Sequence, residues 1–310
     1  MDGELFVRDA RNPVLAARDW PEPVSAVFNP AAVRLGDETL LLVRVEERTG
    51  RSFLGVARSA DGLTGWTVEP EGSLRPEPAL EAERFGIEDA RITTIGEDHL
   101  IAYAAYSTGG PLVCLAATRD FRRYERLGVV LPPENKDAAL LPARFGGRYA
   151  LIHRPVARQA RSAGEIWVAF SPDLRHWGDH RLLLKVGDEG DWDSEKVGLG
   201  PPPLQTEDGW LVAFHGVRRT AAGAIYRVGL ALLDRDRPEL VVTRSPEWVF
   251  GPEAPYERTG DVGNVVFPCG WVLLDDADTL RLYYGAADTA VCVATASLSA
   301  LLAHLRRFGR

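Results

Sequence analysis

The sequence predicts an all-β fold, a five-bladed β-propeller that ends in a short C-terminal helix. The first observation is an apolar, aromatic-rich run with a polar tail that recurs five times along the 310 residues. The runs are LLLVRVE (40–46), HLIAYAAYS (99–107), RYALIHRP (148–155), WLVAFHGV (210–217) and LRLYYGAAD (280–288). A cycle of roughly 50–70 residues with little helical periodicity is typical of one propeller blade.

The second observation is a polar segment that interrupts the hydrophobic pattern before each run. The segments are FNP (28–30), EDAR (88–91), KDAALLP (136–142), GLGPPP (198–203) and DVGNVVFP (261–268). Because the inner strands of all blades face one axis, we expect these five segments to meet in a single pocket.

Turn residues and one amphipathic segment complete the predicted architecture. Pairs of turn residues separate the strand-like runs, as antiparallel hairpins require. The pairs are Gly36-Asp37, Asp61-Gly62, Gly146-Gly147 and Asp208-Gly209. The segment SLSALLAHLRRF (297–308) carries its leucines on one stripe, which predicts a terminal helix packed on the outside. We therefore predict that residues 1–310 form a single propeller domain.

Composition and charge narrow the class of protein. Hydrophobic residues make up 45% of the chain and charged residues 26%, as in soluble globular proteins. A net charge of −8 disfavours a nucleic acid or an anionic membrane as a partner, and no apolar stretch is long enough to span a membrane. The N-terminus lacks a secretory pattern, and three cysteines without metal-ligand spacing favour free thiols. We expect a cytoplasmic protein.

The segment that contains Glu88, Asp89 and Arg91 is the first candidate for catalysis. Two carboxylates and a guanidinium lie together just before a β-run. One interpretation is structural, with an Asp–Arg pair that fixes a turn. The other makes Asp89 or Glu88 a general acid whose pKa is set by burial and by the neighbouring cation. The residues alone leave both interpretations open.

Cationic residues gather in the third and fourth cycles. Lys136, His153 and Arg154 belong to the third cycle, and Lys196 and His215 to the fourth. Taken singly, His153 fits a buried core position and Lys196 a solvated loop. If the inner segments converge, however, these side chains form a positive wall in an acidic protein. Arginine, lysine and histidine together suit a phosphate oxyanion.

The last and first cycles carry groups that suit a sugar. Tyr283, Tyr284 and Asp288 end the fifth run, and Asn29 opens the first cycle. An aromatic face beside carboxylate and amide groups is typical of sugar binding. An aromatic strand followed by a turn that Asp288 opens explains the same residues equally well.

Seven stretches of the chain resemble glycoside hydrolase family 130, whose members are five-bladed β-propeller mannoside phosphorylases and related β-mannosidases. The stretches are GIEDARI (86–92), PPENKDAALLPARFGGRYALIHRP (132–155), SPDLRHWGDHRLLL (171–184), VGLGPPPLQTEDGWLVAFHGV (197–217), YRVGLALLD (226–234), GDVGNVVFPCG (260–270) and YYGAADTAVCVAT (283–295). The resemblance extends from about residue 24 to residue 305.

The resemblance implies a role for each group of residues. Asp89 occupies the position of the catalytic acid in the family's E-D-x-R segment. The phosphate-binding positions correspond to Lys136, Arg154, Lys196, His215 and Tyr226. The substrate-binding set comprises Asn29, Arg44 and Asp288, and we expect Glu88, Arg91 and Asp137 to contact substrate as well. We expect no metal and no organic cofactor, with inorganic phosphate as co-substrate.

The chain departs from the family pattern at two points. Ala90 replaces the usual proline of E-D-P-R, which loosens the turn but keeps the acid. Lys136 and Lys196 stand where relatives often have arginine, so point charges would hold the phosphate. Retention of the cationic set favours the phosphorylase branch, which implies inverting phosphorolysis of a manno-oligosaccharide or mannosyl-glucose to α-D-mannose 1-phosphate.

Two alternatives remain open at this stage. An inverting β-mannosidase would need a second carboxylate as base, for which Glu88, Glu195 and Asp261 are available. A non-catalytic sugar-binding propeller would more naturally place its binding groups on the rim. The sequence leaves open the linkage, β-1,2 or β-1,4, the acceptor sugar, and whether the protein forms a homo-oligomer.

Overall fold

Five antiparallel β-sheets are arranged as the blades of a propeller, as the five cycles predict. The structure is a computed structural model that describes residues 4–156 and 164–310. Each blade has four or five strands, and the inner strands of neighbouring blades contact one another at the axis.

Two short strands precede the first complete blade. They are β1 (Val7–Arg8) and β2 (Leu15–Ala16). Blade 1 contains β3 (Val24–Leu35), β4 (Glu38–Glu47), β5 (Ser52–Ser59) and β6 (Thr67–Leu74). Blade 2 contains β7 (Ile87–Ile95), β8 (Asp98–Ser107), β9 (Gly110–Thr118) and β10 (Glu125–Leu131). Blade 3 contains β11 (Asn135–Phe145), β12 (Arg148–Pro155), β13 (Ile166–Ser171) and β14 (Gly178–Leu184).

The inner edge of blade 4 is split in two. Its strands are β15 (Lys196–Leu199), β16 (Leu204–Thr206), β17 (Gly209–Thr220), β18 (Gly223–Leu233) and β19 (Val241–Arg244). Both β15 and β16 pair with β17. The break between them contains Pro201, Pro202 and Pro203, which have no N–H group to donate to a ladder.

The N-terminal strands close the ring by joining the last blade. Blade 5 contains β20 (Val266–Leu273), β21 (Thr279–Ala286) and β22 (Ala290–Ser297). Both β1 and β2 pair with β22, so the two ends of the propeller share one sheet. A closed ring leaves few exposed strand edges for unwanted pairing.

Helical structure is limited, as expected. Helix α1 is a single turn over Pro255–Arg258, and 3-10 turns cover Ala17–Asp19 and Glu81–Glu83. Helix α2 spans Leu298–Phe308, close to the predicted bounds, and the hydroxyl of Ser297 caps it by accepting from the backbone N–H of Ala300.

The hydrophobic core has one large cluster at each junction between adjacent blades and a small sixth cluster of Val265, Phe267 and Cys269. Leu42 and Ile101, for example, lie in the cluster between blades 1 and 2. The buried leucines of α2 join the cluster between blades 4 and 5, which confirms that the helix packs against the outside of the ring. Cys114, Cys269 and Cys292 are buried and free.

Helix α2 is far shorter than a membrane span, and within residues 4–156 and 164–310 no helix has the length and apolar character to cross a bilayer.

Candidate active site

A cavity of about 170 Å³ lies at the propeller axis and brings together polar side chains from all five blades. Its lining residues are Asn29, Arg44, Asp89, Lys136, Asp137, Arg154, Lys196, His215, Tyr226, Val262, Val265, Phe267 and Asp288. Of the residues to which the family resemblance assigned a role, all except Glu88 and Arg91 are in this set, whereas His153, Tyr283 and Tyr284 are not. Four of the five polar segments therefore meet in this cavity as predicted, whereas the fourth, 198–203, contributes no lining residue, and blade 4 is represented by Lys196, His215 and Tyr226.

A repeated backbone irregularity places the key side chains of blades 1 to 3. Asn29, Asp89 and Asp137 each have a left-handed backbone, with φ values of 48°, 50° and 51°. Each lies where the register between the first and second strands of its blade shifts. A β-bulge re-aims a side chain, and asparagine and aspartate tolerate left-handed φ better than most residues. The local sequence thus directs these residues into the cavity.

Asp89 is buried, with 5% of its surface exposed, and it contacts two residues of blade 1. Asn29 Nδ2 donates to Asp89 Oδ1 at 2.9 Å, and Arg44 Nη1 lies 3.4 Å from the same oxygen. Burial alone would raise the pKa of Asp89, but attraction to Arg44, Lys136 and Arg91 outweighs burial and lowers it. Asp89 is therefore a carboxylate at neutral pH in the free protein.

Glu88 lies beside the cavity and is held by two cations. Its carboxylate oxygens are 2.8 Å from Arg44 Nη2 and 3.8 Å from Lys136 Nζ. Lys136 Nζ also donates to the Tyr106 hydroxyl at 3.1 Å. Burial raises the pKa of Glu88 despite both cations. Glu88 and Asp89 thus share Arg44 and Lys136, but the pKa of Glu88 is raised whereas the pKa of Asp89 is lowered.

Asp137 has two guanidinium groups and an imidazole around its carboxylate. Arg154 Nε donates to Asp137 Oδ2 at 2.6 Å. His215 Nε2 lies 3.6 Å from the same oxygen, and Arg91 Nη2 lies 3.8 Å from Oδ1. Burial opposes ionisation of Asp137, but Arg154 and the other neighbours hold its pKa well below the usual range. Asp137 is therefore an anchored carboxylate.

Arg91 lies beneath the cavity, which corrects the expectation that it contacts substrate. Only 1% of its surface is exposed. Its guanidinium donates to the backbone carbonyls of Asp89, Leu199 and Gly200 at 2.8, 2.9 and 3.1 Å. It therefore links the inner strands of blades 2 and 4 across the axis, and each of its three nitrogens donates to a backbone carbonyl.

His215 forms the aromatic part of the wall with Tyr226 and Phe267. The ring centroids of these two residues lie 5.9 and 4.7 Å from that of His215. Burial lowers the pKa of His215 to about 3, so the imidazole is neutral. Its Nδ1 is buried without a hydrogen-bond partner among the described residues. Lys196 Nζ lies 4.9 Å from the centroid of the Tyr226 ring.

Asp288 belongs to the wall contributed by blade 5. Its pKa is raised to about 6, first by burial and then by the negative charge of Asp89. Near it, Gly285 lies so close to Asn29 that a methyl group at 285 would collide with the asparagine side chain. The seam between blades 5 and 1 therefore depends on a glycine at this position.

The cavity has a local charge opposite to that of the protein. Four cations, Arg44, Lys136, Arg154 and Lys196, face three carboxylates, Asp89, Asp137 and Asp288, and His215 is neutral. The chain as a whole has a net charge of −8. A buried site of this kind suits a small anion beside a polar ligand.

His153 does not belong to the cationic wall, contrary to our expectation. Consecutive strand residues point to opposite faces of the sheet. Because the side chain of Arg154 lines the cavity, that of His153 points away from it. Its Nδ1 is 3.1 Å from Asn135 Oδ1, and its Nε2 is 3.4 Å from Nδ1 of the exposed His180. Burial lowers its pKa to about 3, which keeps it uncharged.

Other features of the molecule do not compete with the axial cavity. A larger groove of about 480 Å³ runs between α2 and blade 4, but none of its ionisable lining residues is buried. Over residues 4–156 and 164–310, no group of three His, Cys, Asp or Glu side chains is placed to hold a metal ion.

The apolar part of the cavity was not predicted. Val262, Val265 and Phe267 line it, and all three lie in or next to the fifth polar segment. The fifth polar segment correctly predicted that this part of blade 5 faces the cavity, but its sequence predicted no role for the apolar residues. Val262 is 43% exposed, which places an apolar group where the loop meets solvent.

A five-bladed propeller with a buried carboxylate and a cationic wall at its axis defines an enzyme of the glycoside-cleaving class. Residues 7–307 match the family model of glycoside hydrolase family 130, described as beta-1,4-mannooligosaccharide phosphorylase. The chain belongs to this family.

Individual relatives agree with the family assignment. The chain is 39% identical over 257 residues to a beta-1,2-mannobiose phosphorylase of Listeria innocua, covering 83% of this chain and 70% of the relative. It is 36% identical over 290 residues to a 1,2-beta-oligomannan phosphorylase of Thermoanaerobacter sp., covering 90% of this chain and 92% of the relative. A solved Listeria innocua beta-1,2-mannobiose phosphorylase, in complex with beta-1,2-mannobiose, matches with a TM-score of 0.89 at 32% identity over 99% of this chain and all of that one.

Proposed function

We propose that this protein is an inverting β-mannoside phosphorylase that uses inorganic phosphate to release α-D-mannose 1-phosphate. The observation that carries the proposal is the position of Lys136, Arg154 and Lys196 in the same cavity as Asp89. A hydrolase has no need of a wall of cations, whereas phosphate requires one.

The reaction would break the bond between the anomeric carbon and the glycosidic oxygen. A phosphate oxygen attacks that carbon from the face opposite the leaving group, and the leaving oxygen receives a proton. Phosphate is already an anion and needs no general base. One acid is therefore enough, which agrees with a site whose carboxylates Asp137 and Glu88 are tied to cations.

Asp89 would supply the proton, directly or through a mannose hydroxyl. In the free protein its pKa is lowered because Arg44, Lys136 and Arg91 attract the carboxylate more than burial disfavours it. A phosphate bound to Lys136 would offset part of that attraction and raise the pKa of Asp89. Phosphate binding would thus prepare the acid for catalysis.

The remaining lining residues would hold the reactants. Lys136, Arg154, Lys196, His215 and Tyr226 would bind phosphate, and their charges would stabilise the transition state by a few kcal/mol each. Asn29, Arg44 and Asp288 would bind the mannosyl ring. Glu88 would contact substrate from beside the cavity, on the side of its carboxylate that Arg44 and Lys136 do not occupy.

We propose a β-1,2-mannoside as the substrate. The support comes from two relatives above 35% identity whose names specify β-1,2 linkages, and from the match to a structure solved with β-1,2-mannobiose. We also propose a cytoplasmic location, because three buried cysteines remain free of disulfides. A homo-oligomer stays a prediction.

The reverse reaction tests the proposal and identifies the acceptor in one assay. Purified protein is incubated with α-D-mannose 1-phosphate and, separately, mannose, glucose, N-acetylglucosamine or β-1,2-mannobiose, and phosphate release is followed. We expect release only with an accepting sugar, and a β-1,2-linked product with mannose. No phosphate release with any acceptor would contradict the proposal.

A further inference from the structure

Asp137 is the counterpart in blade 3 of Asp89 in blade 2. Both residues have left-handed φ angles, of 51° and 50°, at the register shift of the first strand of the blade. Both are buried and both line the cavity. The fold therefore presents two aspartates in equivalent positions, and their surroundings decide which role each can take.

The surroundings of Asp137 exclude a role in proton transfer. Its Oδ2 accepts from Arg154 Nε at 2.6 Å, whereas the arginine nitrogen paired with the Asp89 carboxylate, Arg44 Nη1, is 3.4 Å away. Arg154 itself is 7% exposed at its side chain, so the pair is shielded from solvent. A short charge-assisted hydrogen bond in a buried site keeps the carboxylate ionised.

His215 is fixed against Asp137 by packing. Its Nε2 lies 3.6 Å from Asp137 Oδ2. On the other side is Gly198, where a methyl group would come within 2.5 Å of both Asp137 Oδ2 and His215 Nε2. The ring therefore has little freedom to turn, and Nδ1, which lacks a partner among the described residues, has a fixed direction.

We propose that Asp137 is the positioning residue of the phosphate site, not a sugar contact. Its carboxylate holds Arg154 through Nε and packs against the ring of His215, so that a guanidinium from blade 3 and an imidazole from blade 4 are set before phosphate arrives. The carboxylate also offsets the repulsion among the four cations that line the cavity. This inference rests on the proposed function.

The variant Asp137→Asn tests the inference because it removes the charge and preserves the volume. We expect the KM for phosphate to rise at least about tenfold, the size of one charge-assisted hydrogen bond. The KM for β-1,2-mannobiose should change by less than about threefold, because Asp137 is not a sugar contact in this proposal. Isothermal titration with inorganic phosphate alone should show the same loss of affinity.

Asp193→Asn is the matched control. Asp193 is also a buried aspartate paired with an arginine, Arg244, but it does not line the cavity. General loss of stability would affect both variants, whereas loss of phosphate affinity should occur only in Asp137→Asn. If Asp137→Asn does not fold, Gly198→Ala replaces it, since the added methyl group pushes on Asp137 and His215 from blade 4.

The outcomes separate the inference from the proposed function. An unchanged phosphate KM in Asp137→Asn, or in Gly198→Ala where that variant replaces it, would overturn the inference, and so would a rise confined to the KM for mannobiose. An equal rise in phosphate KM for Asp193→Asn would also overturn it. A wild-type protein that cleaves mannobiose without any need for phosphate would instead overturn the proposed function, and the inference with it.

Discussion

Asn29 donates a hydrogen bond of 2.9 Å to Asp89 across the junction of blades 1 and 2. Both residues are in left-handed backbone conformations, with φ values of 48° and 50°. The bond fixes the Asp89 carboxylate against blade 1 and helps to keep it ionised by lowering its pKa. It thus joins the sugar-binding blade to the blade that carries the acid.

Replacing the acid should abolish turnover without unfolding the protein. In Asp89→Asn the amide can still pair with blade 1 but cannot supply a proton. We expect kcat to fall by about 10²–10⁴-fold, the usual contribution of a positioned acid. Activity on β-1,2-mannobiose with phosphate and the thermal midpoint should be measured together. Near-normal activity would remove Asp89 from the mechanism.

Truncating Arg154 should weaken phosphate binding selectively. Arg154→Ala removes a charge from the cationic wall and leaves Asp137 without its closest cation. We expect a loss of kcat/KM for phosphate of about 100-fold, or roughly 3 kcal/mol. Arg219→Ala is a suitable control, because Arg219 pairs with Glu195 at the surface. A phosphate KM equal to that of the wild type would contradict the assignment.

The raised pKa of Asp288 predicts a pH-dependent gain in stability on substitution. Because the folded pKa of about 6 exceeds the ordinary value of 3.8, the folded state binds a proton more tightly. The contribution of protonated Asp288 to the free energy of unfolding is fully present below pH 4 and is lost as the pH rises through 6. Asp288→Asn should therefore be more stable than the wild type at pH 8, by about 1 kcal/mol or more, and not at pH 4. Urea unfolding at both pH values tests this, and a pH-independent difference would refute it.

Arg91 should matter for folding more than for substrate contact. Arg91→Met preserves much of the volume but leaves the carbonyls of Asp89, Leu199 and Gly200 without their donor. We expect a loss of about 3–5 kcal/mol in the free energy of unfolding, typical of a broken buried charge network. Denaturant titration gives the value directly. A stable variant with a raised KM for mannobiose would contradict this and indicate that Arg91 contacts the sugar directly.

The propeller could be predicted from the repeat, and most of the cavity from the repeat together with the family resemblance, which alone pointed to Arg44, Asp137 and Tyr226. In blades 1 to 3, a polar residue that interrupts the cycle bulges into the axis, as Asn29, Asp89 and Asp137 show. The closing strands β1 and β2 were not predicted, since strands of two residues are too short to produce an alternating pattern.

The errors concern the direction in which a side chain points. Arg91 was placed with the sugar contacts because its charge stands in the acid segment, and only the structure shows that its donors reach across to blade 4. His153 was placed beside Arg154, although strand alternation puts neighbours on opposite faces. A stricter use of that alternation would have excluded His153 from the wall.

The most direct test of the account is whether cleavage of β-1,2-mannobiose requires phosphate. Purified protein is incubated with the disaccharide in phosphate-free buffer and in buffer with added phosphate, and the products are followed by phosphorus and proton NMR. We predict α-D-mannose 1-phosphate and mannose in equal amounts, with no cleavage when phosphate is absent. Release of free mannose alone, at a rate indifferent to phosphate, would contradict the central claim.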